Sequence, residues 1–178
     1  MKRTHEPLQL DVAAFAADAG RLEAREAVTA FDRLRELLPA DAPAEKIVWS
    51  ARGEVLHPKA FEPEIWLHLA ARSGVWMTCQ RCLQAVRVPV DLERPIRFVR
   101  DENTAARMDA DSEDDVLALE RSLDVRALIE DEVLLALPIV PRHDHCPVPM
   151  TFSTSEPDDA GDGAPHPFAA LEALKRRG

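Results

Sequence analysis

The sequence predicts an α+β fold: a mainly antiparallel sheet, with short N-terminal helices before it, one central helix after it and a short C-terminal helix. Three observations lead to this prediction. Between residues 45 and 100, apolar and polar residues alternate with the period of a strand. Before and after this block, apolar residues recur at helical spacing. The segments within the block are joined by short connections, which antiparallel strands allow and parallel strands do not.

The length of 178 residues favours one domain. We expect a single domain over residues 1–150 and a polar tail over 151–178 that ends in a short amphipathic helix. No apolar run reaches the roughly 20 residues that span a membrane, and acidic residues interrupt the apolar stretch near the start. The three cysteines do not form the pattern of a disulfide framework. These features predict a cytoplasmic protein with no membrane partner.

Two short helices are predicted before the sheet. Asp11 can cap a helix over 12–19, and Gly20 suits its C-terminal end. A second helix is predicted over 24–38, and Pro39 ends it. The apolar stripe of this second helix consists of Ala27, Phe31, Leu34 and Leu38.

The sheet is predicted from four alternating segments. The last of them keeps its apolar residues at even positions past Arg94 and Pro95, which predicts a single long strand that bends there. Pro89 and Pro95 lack a backbone N–H group, so this strand should lie at an edge of the sheet or contain a bulge. The predicted strands cover residues 45–55, 64–71, 73–79 and 86–98.

An acidic segment and a helix follow the sheet. Residues 101–115 contain seven acids and one arginine, and we predict a mobile loop there. Residues 116–122 can return as a further strand. Asp124 can cap the central helix over 125–137, and Pro138 ends it.

The charge of the chain is unevenly distributed. A net charge of −10 argues against a surface that binds nucleic acid throughout. Between residues 72 and 100, however, six arginines stand against two acids. This segment is either a solvated surface or a binding site for RNA or a partner protein, and a bent two-stranded ribbon would bring its arginines and the nearby cysteines to one outer edge. The predicted binding residues are Arg72, Arg81, Arg87, Arg94, Arg97, Arg100 and Glu132.

Glu132 belongs to this set because of its place on the central helix. It falls on the same stripe as Val125 and Ile129, where an acid is unusual. Either Glu132 is a paired carboxylate at the edge of the helix, or it anchors an arginine of the sheet or contacts a partner.

The two cysteines of the C-x-x-C motif, Cys79 and Cys82, should lie at the tip between two strands. The distant candidates for further ligands are Cys146 and the histidines His143 and His145. Cys146 and one histidine, for which we name His143, would complete a Cys₃His set, and a structural zinc site requires four such ligands. Two other interpretations remain open, namely reduced cysteines without a ligand and a redox dithiol. The redox interpretation is the weakest, since strand-period residues follow Cys82 and no helix N-terminus is available to lower the thiol pKa. Zinc is the only cofactor that the sequence suggests.

Catalytic motifs are missing from the sequence. It contains no G-x-S-x-G, no glycine-rich phosphate loop and no H-E-x-x-H. We therefore expect no catalytic residues, no enzyme activity and no small-molecule substrate.

Three motifs in the chain resemble the YceD family, which is named for large ribosomal RNA subunit accumulation. They are "CQRCL" after an apolar strand, "IEDEVLLALPIVPRHDHC" and the terminal "PFAALEALK", and they occur in the family's order. The resemblance implies a bacterial cytoplasmic protein needed for synthesis, processing or stability of 23S rRNA, with no established enzyme activity. Some family members carry additional cysteine pairs near the second motif, whereas this chain has only Cys146 there. The residues that match by position are Cys79, Arg81, Cys82, Glu130, Glu132, Pro138, Pro141, His143 and Cys146.

The sequence thus supports a preferred function and two alternatives. The preferred function is a non-enzymatic ribosome-biogenesis factor whose partner is pre-ribosomal RNA or a ribosomal protein. The first alternative is a small zinc-binding module, structural or interacting with proteins, in which the ion fastens the hairpin tip to the C-terminal region. The second is an oxidoreductase.

Overall fold

The computed structural model describes residues 5–59 and 62–147. It confirms the α+β class, with five strands and four α-helices among the described residues. The elements are α1 (Val12–Ala17), β1 (Arg21–Ala27), a 3₁₀ turn (Val28–Ala30), α2 (Asp32–Leu37), β2 (Lys46–Leu56), β3 (Glu64–Thr78), β4 (Ala85–Val99), α3 (Glu102–Asp111), β5 (Asp115–Ala118) and α4 (Val125–Ala136). None of the helices in these ranges has the length and apolar character that crossing a membrane requires.

The five strands form one sheet in the order β1-β2-β3-β4-β5. Every neighbouring pair is antiparallel except β4 and β5, which run parallel. β3 is one continuous strand of 15 residues, although two segments were predicted there, and it pairs with β4 along almost its full length. This long hairpin is the central feature of the sheet and carries the C-x-x-C motif at its tip.

The helices pack on one face of the sheet, here called the core face, and the alternation of side chains defines an outer face opposite to it. Because directly paired residues of antiparallel strands point to the same side, Trp49, Ala71 and Leu92 mark the core face. The predicted alternation in β2 is confirmed. The buried core joins the sheet residues Ile47, Trp49, Ala51, Leu67, Leu69, Val90 and Ile96 to the helix residues Phe15, Leu34, Ile129 and Val133.

The N-cap predicted for α1 is confirmed, whereas the left-handed residue after the helix is Ala19 and not Gly20. The Asp11 carboxylate accepts a hydrogen bond from the Ala14 N–H at 2.9 Å, as an N-cap does. The helix backbone comes very close to Gly53 of β2, where an added Cβ would lie 2.8 Å from the Ala16 backbone. Glycine at position 53 therefore allows α1 to pack directly on the sheet.

The second predicted helix, over 24–38, is wrong in its first half. Residues 21–27 form β1, in which exposed and half-buried residues alternate, and α2 begins only at Asp32. The apolar stripe is real at Phe31 and Leu34, which are buried. Ala27, by contrast, is exposed. Pairing with β2 satisfies the backbone of β1, and this tertiary contact outweighs the helix propensity of an alanine- and glutamate-rich segment.

The predicted mobile loop over 101–115 is also wrong. Residues 102–111 form α3, and Asp101 caps it by accepting a hydrogen bond from the Thr104 N–H at 2.9 Å. Ala105 is buried, so the helix packs on the fold although Glu102, Asp109 and Asp111 are acidic and exposed. The strand predicted to follow is present as β5 and lies beside the end of β4.

The edge position of β4 is confirmed over most of its length. On the side away from β3, β4 pairs only through Ile96–Val99, with β5. Pro89 and Pro95 come before this paired part, in the portion of β4 that has no described strand on that side to accept a backbone hydrogen bond.

The central helix is confirmed as α4, with Asp124 as its N-cap and Pro138 just beyond its end. The predicted tail and terminal helix lie outside the described residues.

Candidate metal centre

The C-x-x-C motif forms a tight turn between β3 and β4. The Cys79 N–H donates to the Gln84 carbonyl and the Leu83 N–H donates to the Cys79 carbonyl, both at 2.9 Å. Leu83 adopts a left-handed backbone with φ 60°, which closes the turn. Cys79 and Cys82 therefore lie at the hairpin tip, as predicted, and not in a helix.

The segment after α4 supplies the other half of the site. Pro138 follows the end of the helix, and the buried Pro141 accepts a hydrogen bond through its carbonyl from the Gln80 N–H at 2.9 Å. This contact fastens the segment to the hairpin tip. It places His143 and Cys146 beside the two tip cysteines, although some sixty residues separate them in sequence.

Cys79, Cys82, His143 and Cys146 form a compact Cys₃His cluster. Their donor atoms all lie within 4.8 Å of one another. The Cys79 and Cys146 sulfurs are 4.0 Å apart, and the Cys82 sulfur is 3.4 Å from His143 Nδ1. The three cysteines are free thiols, and Cys79 is fully buried. His145, the other histidine of this segment, is not part of the cluster.

These distances fit one four-coordinate metal ion. A tetrahedral zinc ion with Zn–S of about 2.3 Å and Zn–N of about 2.0 Å places two sulfurs roughly 3.8 Å apart and a sulfur and a nitrogen roughly 3.6 Å apart. The two short distances in the cluster are close to these values. The sequence could not test this arrangement because the two halves of the cluster are remote along the chain.

Two neighbouring groups orient the donors of the cluster. His143 Nε2 lies 3.1 Å from the Ala85 carbonyl, which assigns the proton to Nε2. The lone pair of Nδ1 is then directed toward Cys82, where it can accept a hydrogen bond or bind a metal. Arg81 Nε donates to the Cys146 sulfur at 3.0 Å. Its Nη2 donates to the His143 and Asp144 carbonyls at 2.9 and 3.2 Å. Arg81 therefore holds the second half of the cluster against the first.

The pKa of Cys79 reflects the tight turn around it. Burial acts to raise the pKa of this thiol, but the backbone N–H groups of Cys82, His143 and Arg81 outweigh burial and lower its pKa to about 5. Burial raises the pKa of Cys82, and the nearby sulfurs of Cys146 and Cys79 raise it further. The sequence suggested that no helix could lower a thiol pKa here, and the N–H groups of the turn do so instead. A thiolate at Cys79 is the form that binds a metal.

The predicted binding arginines do not share one outer edge. Arg81 lies in the turn and Arg94 points to the core face, whereas Arg72, Arg87 and Arg97 point to the outer face. Each of the strand arginines, and Arg100 beyond β4, forms an ion pair with a carboxylate. The pairs are Arg72–Asp91, Arg87–Glu45, Arg94–Glu132, Arg97–Glu64 and Arg100–Asp101.

Glu132 anchors an arginine of the sheet, which is one of the two alternatives raised by its position. Its carboxylate accepts from Arg94 Nε at 3.1 Å, and its side chain is only 11% exposed. Burial raises the pKa of Glu132, although the charge of Arg94 opposes that effect. The pair joins α4 to the long strand β4.

The sequence of the chain matches a known protein family. The model described as "Large ribosomal RNA subunit accumulation protein YceD" matches residues 67–175, more than half of the chain. The chain belongs to the YceD family. In this YceD-family chain, the matched region includes β4, α4 and all four residues of the Cys₃His cluster. No solved structure matches it.

Glu130 is a buried acid of this YceD-family chain for which the sequence predicted no structural role. It is the one charged residue among the described residues that is buried. Its carboxylate accepts from the Arg33 N–H at 2.7 Å and the Leu34 N–H at 3.0 Å, which are free donors in the first turn of α2. Its neighbourhood in sequence, "IEDE", marked it only as one of three acids. A contact over 96 residues leaves no local signal.

Proposed function

We propose that the chain is a non-enzymatic ribosome-biogenesis factor, acting in the cytoplasm in synthesis, processing or stability of 23S rRNA. The family match over residues 67–175 carries this proposal, since the family is named for accumulation of the large ribosomal RNA. Its partner is pre-ribosomal RNA or a ribosomal protein. The described residues offer a hairpin tip and a mixed-charge sheet face for such contacts.

Deletion of the gene in its native host tests this function. We expect the ratio of mature 23S to 16S rRNA to fall in the deletion strain, with precursors accumulating, and to recover when the intact gene is supplied. Quantitative separation of total RNA gives the ratio directly. An unchanged ratio during rapid growth and after a cold shift would contradict the proposal.

We also propose that Cys79, Cys82, His143 and Cys146 bind one structural zinc ion. The proximity of their four donor atoms supports this second function. Thiolate and imidazole donors favour zinc over harder cations, and four protein ligands leave no open position for substrate. When bound, zinc supplies a crosslink between the hairpin tip and the segment after α4. Arg81 holds Cys146 in place and offsets part of the thiolate charge.

Elemental analysis of the protein purified under reducing conditions tests the zinc proposal. We expect about one zinc per chain and a large loss of zinc in Cys146→Ser. The matched control is His145→Asn, because His145 is close in sequence but outside the cluster, and this variant should retain the zinc. Less than a few tenths of a zinc per chain, or equal loss in both variants, would contradict the site.

A further inference from the structure

Four cations from four different strands meet on the outer face of the sheet. Arg25 of β1 is paired with Val48 of β2, and Val48 is paired with Arg72 of β3, so these three side chains lie in one row. Lys46 lies one step along β2 on the same face. Arg87 of β4 completes the group, here called the basic corner: Arg25, Lys46, Arg72 and Arg87. Arg25 and Lys46 lie outside the arginine-rich segment in sequence, and the strand order places them on the same face beside it.

The position of Arg87 depends on a glycine. A Cβ added at Gly74 would lie 2.2 Å from Arg87 Cζ, so the guanidinium group lies directly over the backbone of β3. Gly74 follows Arg72 by two residues and therefore points to the same face. The missing side chain at Gly74 lets Arg87 lean toward the other three cations of the basic corner.

The basic corner has an excess of positive charge. Arg72 pairs with Asp91 and Arg87 pairs with Glu45, which fixes their guanidinium groups. Arg25 and Lys46 are exposed and form no ion pair with any residue in 5–59 or 62–147. Two positive charges are therefore left over in a chain whose net charge is −10. The next row on the same face carries Glu23 and Glu93, which limit the basic corner on that side.

We propose that the basic corner binds the phosphate backbone of RNA. This inference rests on the proposed function, since it names the RNA partner and its contact surface. The floor between the cations is partly apolar, with Val48 50% exposed. Guanidinium groups held in place by carboxylates present their remaining N–H donors to a second anion, and phosphate oxygens match that geometry. Arg25 and Lys46 supply the unpaired charge that attracts the polyanion.

Titration of labelled transcripts that tile 23S rRNA tests the basic corner. The variant is Arg25→Gln/Lys46→Gln in the full chain, and its affinity is compared with that of the wild type between 50 and 300 mM salt. Loss of two phosphate contacts to single-stranded RNA reduces the slope of log K against log salt by roughly 1.4, which corresponds to at least about tenfold weaker binding at 0.1 M salt. Both residues are exposed, so the variant should unfold at the wild-type temperature.

The control variant is Arg107→Gln/Arg121→Gln, which removes the same charge from exposed positions on α3 and before α4. It should bind within about twofold of the wild type. Equal weakening in both double variants would overturn the basic corner, because total charge alone would then explain binding. Failure of every transcript to bind the wild type would overturn direct RNA contact and favour a protein partner. The ratio of 23S to 16S rRNA in the deletion strain tests the proposed function independently of these binding measurements.

Discussion

At the scale of single residues, the acids of α4 have different roles that adjacent positions in sequence do not reveal. Glu130 is buried beneath α2 and accepts backbone N–H groups, Asp131 contacts Arg33 at the surface, and Glu132 reaches Arg94 of β4. A turn of 100° per residue aims neighbouring helix positions at different elements. Each of these three acids therefore has a partner from a different part of the chain, which the tertiary packing supplies.

The partly buried carboxyl group of Glu132 should make the free energy of unfolding depend on pH. Because burial raises its pKa above the usual value near 4.5, the folded state holds the proton more tightly than the unfolded state does. The stabilisation from this proton is complete at low pH and is lost as pH rises through the raised pKa. The free energy of unfolding of the wild type should therefore fall, relative to that of Glu132→Gln, as pH rises above about 4.5. Urea unfolding at pH 4, 5, 6 and 7 measures the difference.

The control for this prediction is Glu36→Gln on α2, an exposed acid. Its difference from the wild type should vary less with pH. A constant gap between the wild type and Glu132→Gln, or a gap that changes in the opposite direction, would contradict the burial of Glu132 as the cause.

At the scale of elements, short helices gain their stability from contacts that reach across the fold. α2 has six residues, too few for an isolated helix in water. Its N-cap position, Phe31, makes no side-chain capping bond, and the Glu130 carboxylate from α4 serves its first N–H groups instead. β1 similarly depends on β2, although its sequence favours a helix. Both elements exist because a partner satisfies their backbone groups.

Replacing Glu130 tests this dependence. Glu130→Ala leaves the Arg33 and Leu34 N–H groups without their acceptor, and we expect a loss of roughly 2–4 kcal/mol in the free energy of unfolding. Asp131→Ala is the matched control, since it removes an adjacent acid that also pairs with Arg33 but is about half exposed. It should cost less than about 1 kcal/mol. Urea unfolding of both variants gives the comparison, and equal losses would show that Glu130 has no capping role.

At the scale of the whole described domain, the Cys₃His cluster joins two segments that the sheet and helices leave unconnected. The turn after β3 and the segment after α4 meet through Gln80, Pro141, Arg81 and the cluster itself. A metal ion here would close a loop of about 60 residues, and a crosslink of that span restricts the unfolded chain in the way a disulfide does, by roughly 4 kcal/mol.

Removal of the metal should therefore lower the thermal stability of the whole domain. We expect a strong chelator to reduce Tm by roughly 10 °C, since about 1 kcal/mol shifts Tm by about 2–4 °C in a chain of this length. Differential scanning calorimetry under reducing conditions measures the shift. Cys146→Ser should have the lower Tm already and should not respond to chelator. A zinc-loaded wild type whose Tm is unaffected by complete metal removal would contradict the crosslink.

The sequence by itself determined the strands of the long hairpin, the N-caps of α1 and α4, the edge position of β4 and the place of the C-x-x-C motif at the hairpin tip. These depend on alternation, on short-range capping and on proline chemistry, all of which act within a few residues. Only the tertiary structure decided that 21–27 is a strand, that 101–111 contains a capped helix, and that Glu130 serves α2. It also decided that His143 and Cys146 lie beside the two cysteines of the tip, and that Arg25 and Lys46 lie on the same face of the sheet as Arg72 and Arg87. These outcomes depend on which backbone groups and charges lie opposite each other in the folded chain. Local sequence patterns do not specify such pairings, because the partners are far apart along the chain.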